Sequence, residues 1–85
     1  MTFKLYNRNH EKVEFGEFYL DRPTQKLSDK LTELMNYMYR ATLISRKQLA
    51  KPVDGVTATA LYRGADDTDY AVKETNYGAF LIYIV

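Results

Sequence analysis

Eighty-five residues, 9.9 kDa in all, with 46% hydrophobic and 27% charged side chains, suffice for one small folded domain and are too apolar for a disordered chain. Twelve basic residues against eleven acidic ones leave +1, which excludes an acidic nucleic-acid mimic and a histone-like basic coat. The chain has no Cys and one His, which excludes a disulfide framework, a thiolate zinc site and a cysteine nucleophile.

Thr2 to Tyr6 alternates Phe3 and Leu5 with Lys4 and Tyr6, the pattern of a strand. The polar run Asn7 to Glu11 suits a hairpin connection. Lys12 to Leu20 reads as a second strand with Val13 and Phe15 on one parity and Phe18 and Leu20 on the other. That switch at Gly16-Glu17 predicts a bulge or bend there. Asp21-Arg22-Pro23-Thr24 breaks the pattern and predicts a helix start, with Pro in the tolerated first turn.

The predicted helix carries Leu27, Leu31, Leu34, Met35, Met38 and then Ala41 or Thr42 at three- and four-residue steps. Lys26, Asp29, Lys30, Glu33, Asn36 and Arg40 fill the opposite side. Residues 43–51 admit two readings: a short second helix capped by Ser45, or a continuation of the first. Pro52 and Asp54-Gly55 end either one. Val56 to Arg63 and Tyr70 to Thr75 read as strands joined by an acidic turn over residues 64–69. Asn76-Tyr77-Gly78 reads as a tight turn before a final strand, Phe80 to Val85. The whole chain, residues 1–85, is expected to be one α+β domain. A single antiparallel sheet of about five strands in ββαβββ order packs on one main amphipathic helix.

No stretch in the first ten residues suits a signal peptide. The longest apolar run, Ala79 to Val85, falls far short of the roughly twenty residues of a membrane span. A cytoplasmic protein without a membrane partner is therefore expected. The last strand is apolar on both parities, so it is either central and covered twice or meets another chain. Leu81 and Tyr83 on its outer face are the candidate homodimer interface.

His10 falls in a predicted turn with no second group to make it a catalyst or a ligand. Asp66-Asp67-Thr68-Asp69 lacks the glycine and distal glutamate of a calcium loop and reads as a turn. The sequence holds no phosphate-cradling glycine loop, nucleophile elbow or helix-turn-helix, so no enzyme activity, cofactor or metal is expected.

Charge is uneven: +5 over residues 22–51, −1 over 1–21 and −3 over 52–85. Tyr37, Tyr39, Arg40, Arg46 and Lys47 are the candidate partner-binding patch, basic and aromatic together. Eight tyrosines exceed what a thin core can hide, because each hydroxyl needs a partner or water. Phe3, Phe15, Phe18 and Phe80 are expected inside. The expected function is a small non-enzymatic module that docks a protein surface. An inhibitor, adaptor or accessory factor of the size class that phages and mobile elements encode would fit. The alternative is a nucleic-acid binder using the basic 22–51 segment.

Overall fold

The computed structural model describes residues 1–46, 58–75 and 78–85. The short-helix reading beyond Arg46, the start of the Val56–Arg63 strand and the Asn76-Tyr77 turn lie outside the described residues. The described elements are β1 (Thr2–Tyr6), β2 (Lys12–Glu17), α1 (Leu27–Tyr39), β3 (Ala41–Ser45), β4 (Ala60–Gly64), β5 (Asp69–Glu74) and β6 (Ala79–Ile84). Six strands form one sheet in the order β2-β1-β6-β5-β4-β3, and α1 packs across one face. The fold is the expected α+β sandwich with one strand more than expected. One pair departs from the antiparallel expectation: β1 and β6 run parallel, which makes the sheet mixed.

The first hairpin turns on Asn7, whose Oδ1 accepts the amides of Asn9 (2.9 Å) and Glu11 (3.0 Å). An Asn side chain bonding the backbone two residues on is what makes it a turn former. The irregularity in this hairpin falls opposite Leu5 and Tyr6, where Lys12 pairs with Tyr6 and Glu14 with Leu5. Gly16 is not the site of a bulge. It pairs in regular register with Phe3, and a Cβ at position 16 would run into the Phe3 ring. The parity switch has a simpler origin. Phe18 alternates onto the helix face and is buried, whereas Phe15, paired with Lys4, lies on the other face. Phe15 is 55% exposed, contrary to its expected place in the core.

Helix α1 begins after a turn over residues 22–25, later than Pro23 implied, and Lys26 at its N-cap offers no capping side chain. Gln25, buried, instead ties the preceding turn to the helix. Its Oε1 accepts the Asp21 amide (2.8 Å), and its Nε2 donates to Asp21 and to Glu33 (both 3.2 Å). Lys30 closes the same cluster through Asp21 (3.0 Å) and Glu33 (3.6 Å). Leu31 and Met35 are fully buried against the sheet, with Leu27, Leu34 and Met38 half-buried around them.

The helix ends earlier than its apolar spacing suggested. Arg40 adopts the left-handed conformation (φ 49°, ψ 39°), its amide donates to the Met35 carbonyl, and Ala41 already belongs to β3. The left-handed region satisfies a trailing helix carbonyl and reverses the chain. Residues 41–45 are therefore a strand and not a helix, which supplies the sixth strand. The core holds Tyr62, Phe80, Leu31, Met35 and Val72 with almost no exposure, and Phe18 stacks on Phe80 at 4.8 Å.

Phe80→Ala should cost about 3–5 kcal/mol, enough to abolish most of the cooperative unfolding transition of so small a domain. Phe15→Ala should stay within about 0.5 kcal/mol of the parent at low micromolar concentration. Urea denaturation of the two variants measures both.

Candidate functional site

The sheet face opposite α1 is defined by strand alternation. It carries Lys4 and Tyr6 from β1, Phe15 and Glu17 from β2, Leu61 and Arg63 from β4, Ala71 and Lys73 from β5, and Leu81 and Tyr83 from β6. Its middle is not open. Ala58, Ala71 and Tyr83 form a second buried cluster, with Tyr6 and Leu81 packed beside it and the Tyr6 and Tyr83 rings stacked at 4.9 Å. Exposure returns at the β2 side, where Val13 and Phe15 are each 55% exposed and Lys12 sits 5.9 Å from the Phe15 ring centroid. At the opposite edge Ile44 of β3 is half exposed. The charged groups between these edges are partly spent: Arg63 Nε donates to Asp69 Oδ1 at 2.8 Å, which holds the Asp69 carboxyl below its usual range. Lys4 and Lys12 flank the apolar β2 side, Lys73 lies two strands beyond Lys4 on β5, and none of the three has an acidic partner among the described residues.

The residues nominated from sequence do not form one patch. Tyr37 is strongly exposed on α1. Tyr39 turns inward and stacks on Tyr70 at 5.1 Å. Arg40 is exposed at the helix end beside Tyr39, Ala65 and Asp66, where these residues line an open cleft of about 340 Å³. Arg46 lies at the far end of β3, against the opposite end of the helix. Its Nη2 donates to the Ser28 carbonyl (3.1 Å) and to Thr32 Oγ1 (2.7 Å), and its Nη1 lies 3.6 Å from Glu74. Five strand residues separate Arg40 from Arg46, roughly 20 Å of extended chain, so the two guanidinium groups serve different ends of the molecule. Lys47 lies outside the described residues. The basic balance of the 22–51 segment is partly consumed inside the fold, by Lys30 on Asp21 and Glu33 and by Arg46 on Glu74.

Of the nominated homodimer pair, Tyr83 is only 5% exposed, because Tyr6 and the alanines of its own chain already cover it, and Leu81 is half-buried. β6 lies inside the sheet between β1 and β5, so it presents no edge. Among the described residues, the exposed apolar side chains lie at the edges of the sheet instead, Val13 and Phe15 on β2 and Ile44 on β3. Sequence parity hid the β2 pair, because Val13 and Phe15 alternate with Glu14 and Gly16 in a pattern equally suited to an inward or an outward apolar face.

A cleft of about 590 Å³ opens between the start of α1 and the end of β5, lined by Leu27, Ser28, Arg46, Thr59, Glu74 and Thr75. Its polar groups bond one another. Thr59 Oγ1 donates to the Val72 carbonyl (3.2 Å) and accepts the Glu74 amide (3.1 Å), while Thr32 Oγ1 lies 2.9 Å from the Tyr62 hydroxyl. Arg46 is thus a brace between helix and sheet. His10 is exposed in the first turn, and Asp66 spends its Oδ1 on the Thr68 amide (3.1 Å). Among the described residues no cluster of three His, Cys, Asp or Glu is arranged to hold a metal, and no helix is long and apolar enough to cross a membrane. No protein-family model, no curated protein and no solved structure matches the chain.

The buried Tyr39 hydroxyl has no hydrogen-bond partner among the described residues. Burial, with the Glu14 carboxylate nearby, holds this phenol neutral far above the ordinary 10.0, and burial raises Tyr62 and Tyr70 as well. A group with a raised folded pKa contributes stability that is complete below the unfolded value and lost above it. Unfolding free energy should therefore fall as pH rises past 10.0, because the unfolded chain ionises first. Tyr39→Phe removes an unsatisfied hydroxyl, so it should stabilise by about 1 kcal/mol at neutral pH and flatten the alkaline loss. Tyr62→Phe, which strips a partner from Thr32, should destabilise by a similar amount. Thermal melts of each variant across pH 7 to about 11 measure both effects.

Proposed function

We propose that this chain is a non-enzymatic binding module that docks the surface of a protein partner, as an inhibitor, adaptor or accessory factor. The observation that supports this reading is the β2 side of the helix-free face, where Val13 and Phe15 stand more than half exposed while a full set of apolar residues is already buried in the core. A small domain gains stability by covering large apolar side chains, and a contiguous exposed apolar surface rimmed by charge is characteristic of an interaction site. Phe15 has the features of an anchor: a rigid ring, little rotamer entropy to lose, and lysines around it to form the polar rim. Tyr37, 87% exposed on the helix side, is a second candidate contact, separate from the first.

A nucleic-acid partner would use the same region differently, with Lys4 and Lys12 on phosphates and Phe15 stacking on a base. The protein reading is favoured because the core of the patch is aliphatic as well as aromatic, and because the basic segment 22–51 spends Lys30 and Arg46 on internal ion pairs. Capture from host lysate on the immobilised chain, with and without nuclease, separates the two. The expected result is a protein retained by the parent, insensitive to nuclease and to moderate salt, and lost with Val13→Ser/Phe15→Ser. Retention that nuclease abolishes, or that weakens steeply between low and moderate salt, overturns the reading in favour of nucleic acid.

A further inference from the structure

We infer that, independently of any docking partner, β2 is a self-pairing edge through which two copies of the chain join their sheets into one. β2 is the terminal strand of the sheet, and its side chains are exposed along almost its whole length. The Phe18 amide donates to the Met1 carbonyl, on the β1 side. Alternation therefore directs the backbone groups of Glu14 and Gly16 inward to β1, and those of Phe15 and Glu17 outward, away from the sheet. An edge of outward amides and carbonyls on an apolar strand is a template for another strand.

Sheet geometry selects the occupant and its register. A two-fold axis perpendicular to the sheet keeps both helices on one face and requires residues of like parity to oppose one another. Two such registers keep most of β2 paired. One sets Glu14 directly against its own copy, and like charges facing each other across strands are destabilising. The other sets Phe15 against Phe15, Val13, at the irregular end of β2, against Glu17, and Glu14 against Gly16, beside the Phe3 ring rather than against a second charge. This second register places the outward hydrogen-bonding groups of the two Phe15 residues opposite each other. Lys12 shares the open face with Phe15, as its approach to that ring requires, so it lies beside Val13 and within a lysine's reach of the second copy's Glu17. Two Lys12–Glu17 attractions then flank an aromatic pair on the axis. A foreign strand would satisfy the backbone equally well, but the charge order Lys12 … Glu17 is complementary to its own reversal. That makes a second copy the occupant.

The joined sheet would present Lys4–Phe15–Phe15–Lys4 as one row across the seam, doubling the exposed apolar stripe. Sedimentation of the purified chain over a concentration series reads the association directly. The expected result is a mass rising from 9.9 kDa toward twice that value, with Phe15→Asp raising the dissociation constant about tenfold or more. A constant 9.9 kDa up to millimolar chain overturns the inference. Because the sequence holds no cysteine, single thiols report the register. Cα atoms in a hydrogen-bonded antiparallel pair lie about 5.5 Å apart, within disulfide reach. Under mild oxidation Phe15→Cys should cross-link faster than Val13→Cys or Glu17→Cys. The double variant Val13→Cys/Glu17→Cys, which keeps the ring, should form a dimer linked twice. Equal rates among the single variants, or a double variant that stays monomeric, overturn the register. Captured partners play no part in these measurements, so a failed self-pairing and a failed docking partner are told apart.

Discussion

The parallel pairing of β1 with β6 holds the molecule together. Without it the chain would be a two-stranded hairpin, marginal by itself, and a separate set of strands carrying the helix. The pairing sets Phe3 beside Phe80 and Leu5 beside Ile82, all facing α1. Phe18 then stacks on Phe80 from just beyond the end of β2, and the Phe3 ring lies over Gly16 because nothing projects from that position. Residues far apart in sequence thus close one core, and Leu31 and Met35 cap it from the helix. β1 and β6 lie side by side within the sheet.

That closure leaves the two faces unequal. On the helix side nearly every apolar residue is buried, and polar groups act as braces: Gln25 with Asp21 and Glu33, and Arg46 with Ser28, Thr32 and Glu74. On the other side, among the described residues, the middle is covered by the small cluster around Tyr83 and Ala71. The apolar residues of β2 find no cover of their own. The ionic braces are mostly exposed and contribute modestly to stability, whereas the exposed ring of Phe15 is the costlier feature to leave in water.

Much of this fold was legible in the sequence, and the failures have definite causes. Strand alternation located Thr2–Tyr6 and the later strands, and three- and four-residue spacing located the helix, because those patterns are local. The helix end was hidden because Arg40 takes the left-handed conformation without a glycine to announce it, and Ala41 continues the helical spacing by coincidence. The parallel β1–β6 pair was hidden because nothing local records which strands meet. Tyr37, Tyr39, Arg40 and Arg46 are close in sequence and not in space. A strand between Arg40 and Arg46 carries them to opposite ends of the helix, where one stays exposed and the other braces the sheet. The outward place of Phe15 was hidden because an amphipathic edge strand does not say which of its faces the core will claim.

Amide hydrogen exchange along β2, followed residue by residue at low and high chain concentration, is the most direct measurement of what this edge does. Gly16 should be protected at every concentration, because its amide faces β1. Phe15, facing away from the sheet, should exchange freely in dilute solution and become protected as concentration rises. A Phe15 amide that exchanges freely at every concentration would show that the edge stays open and would contradict the self-pairing. Protection of Phe15 already complete at concentrations where sedimentation gives 9.9 kDa would show that its own chain covers the edge, and would contradict the open edge on which the self-pairing rests.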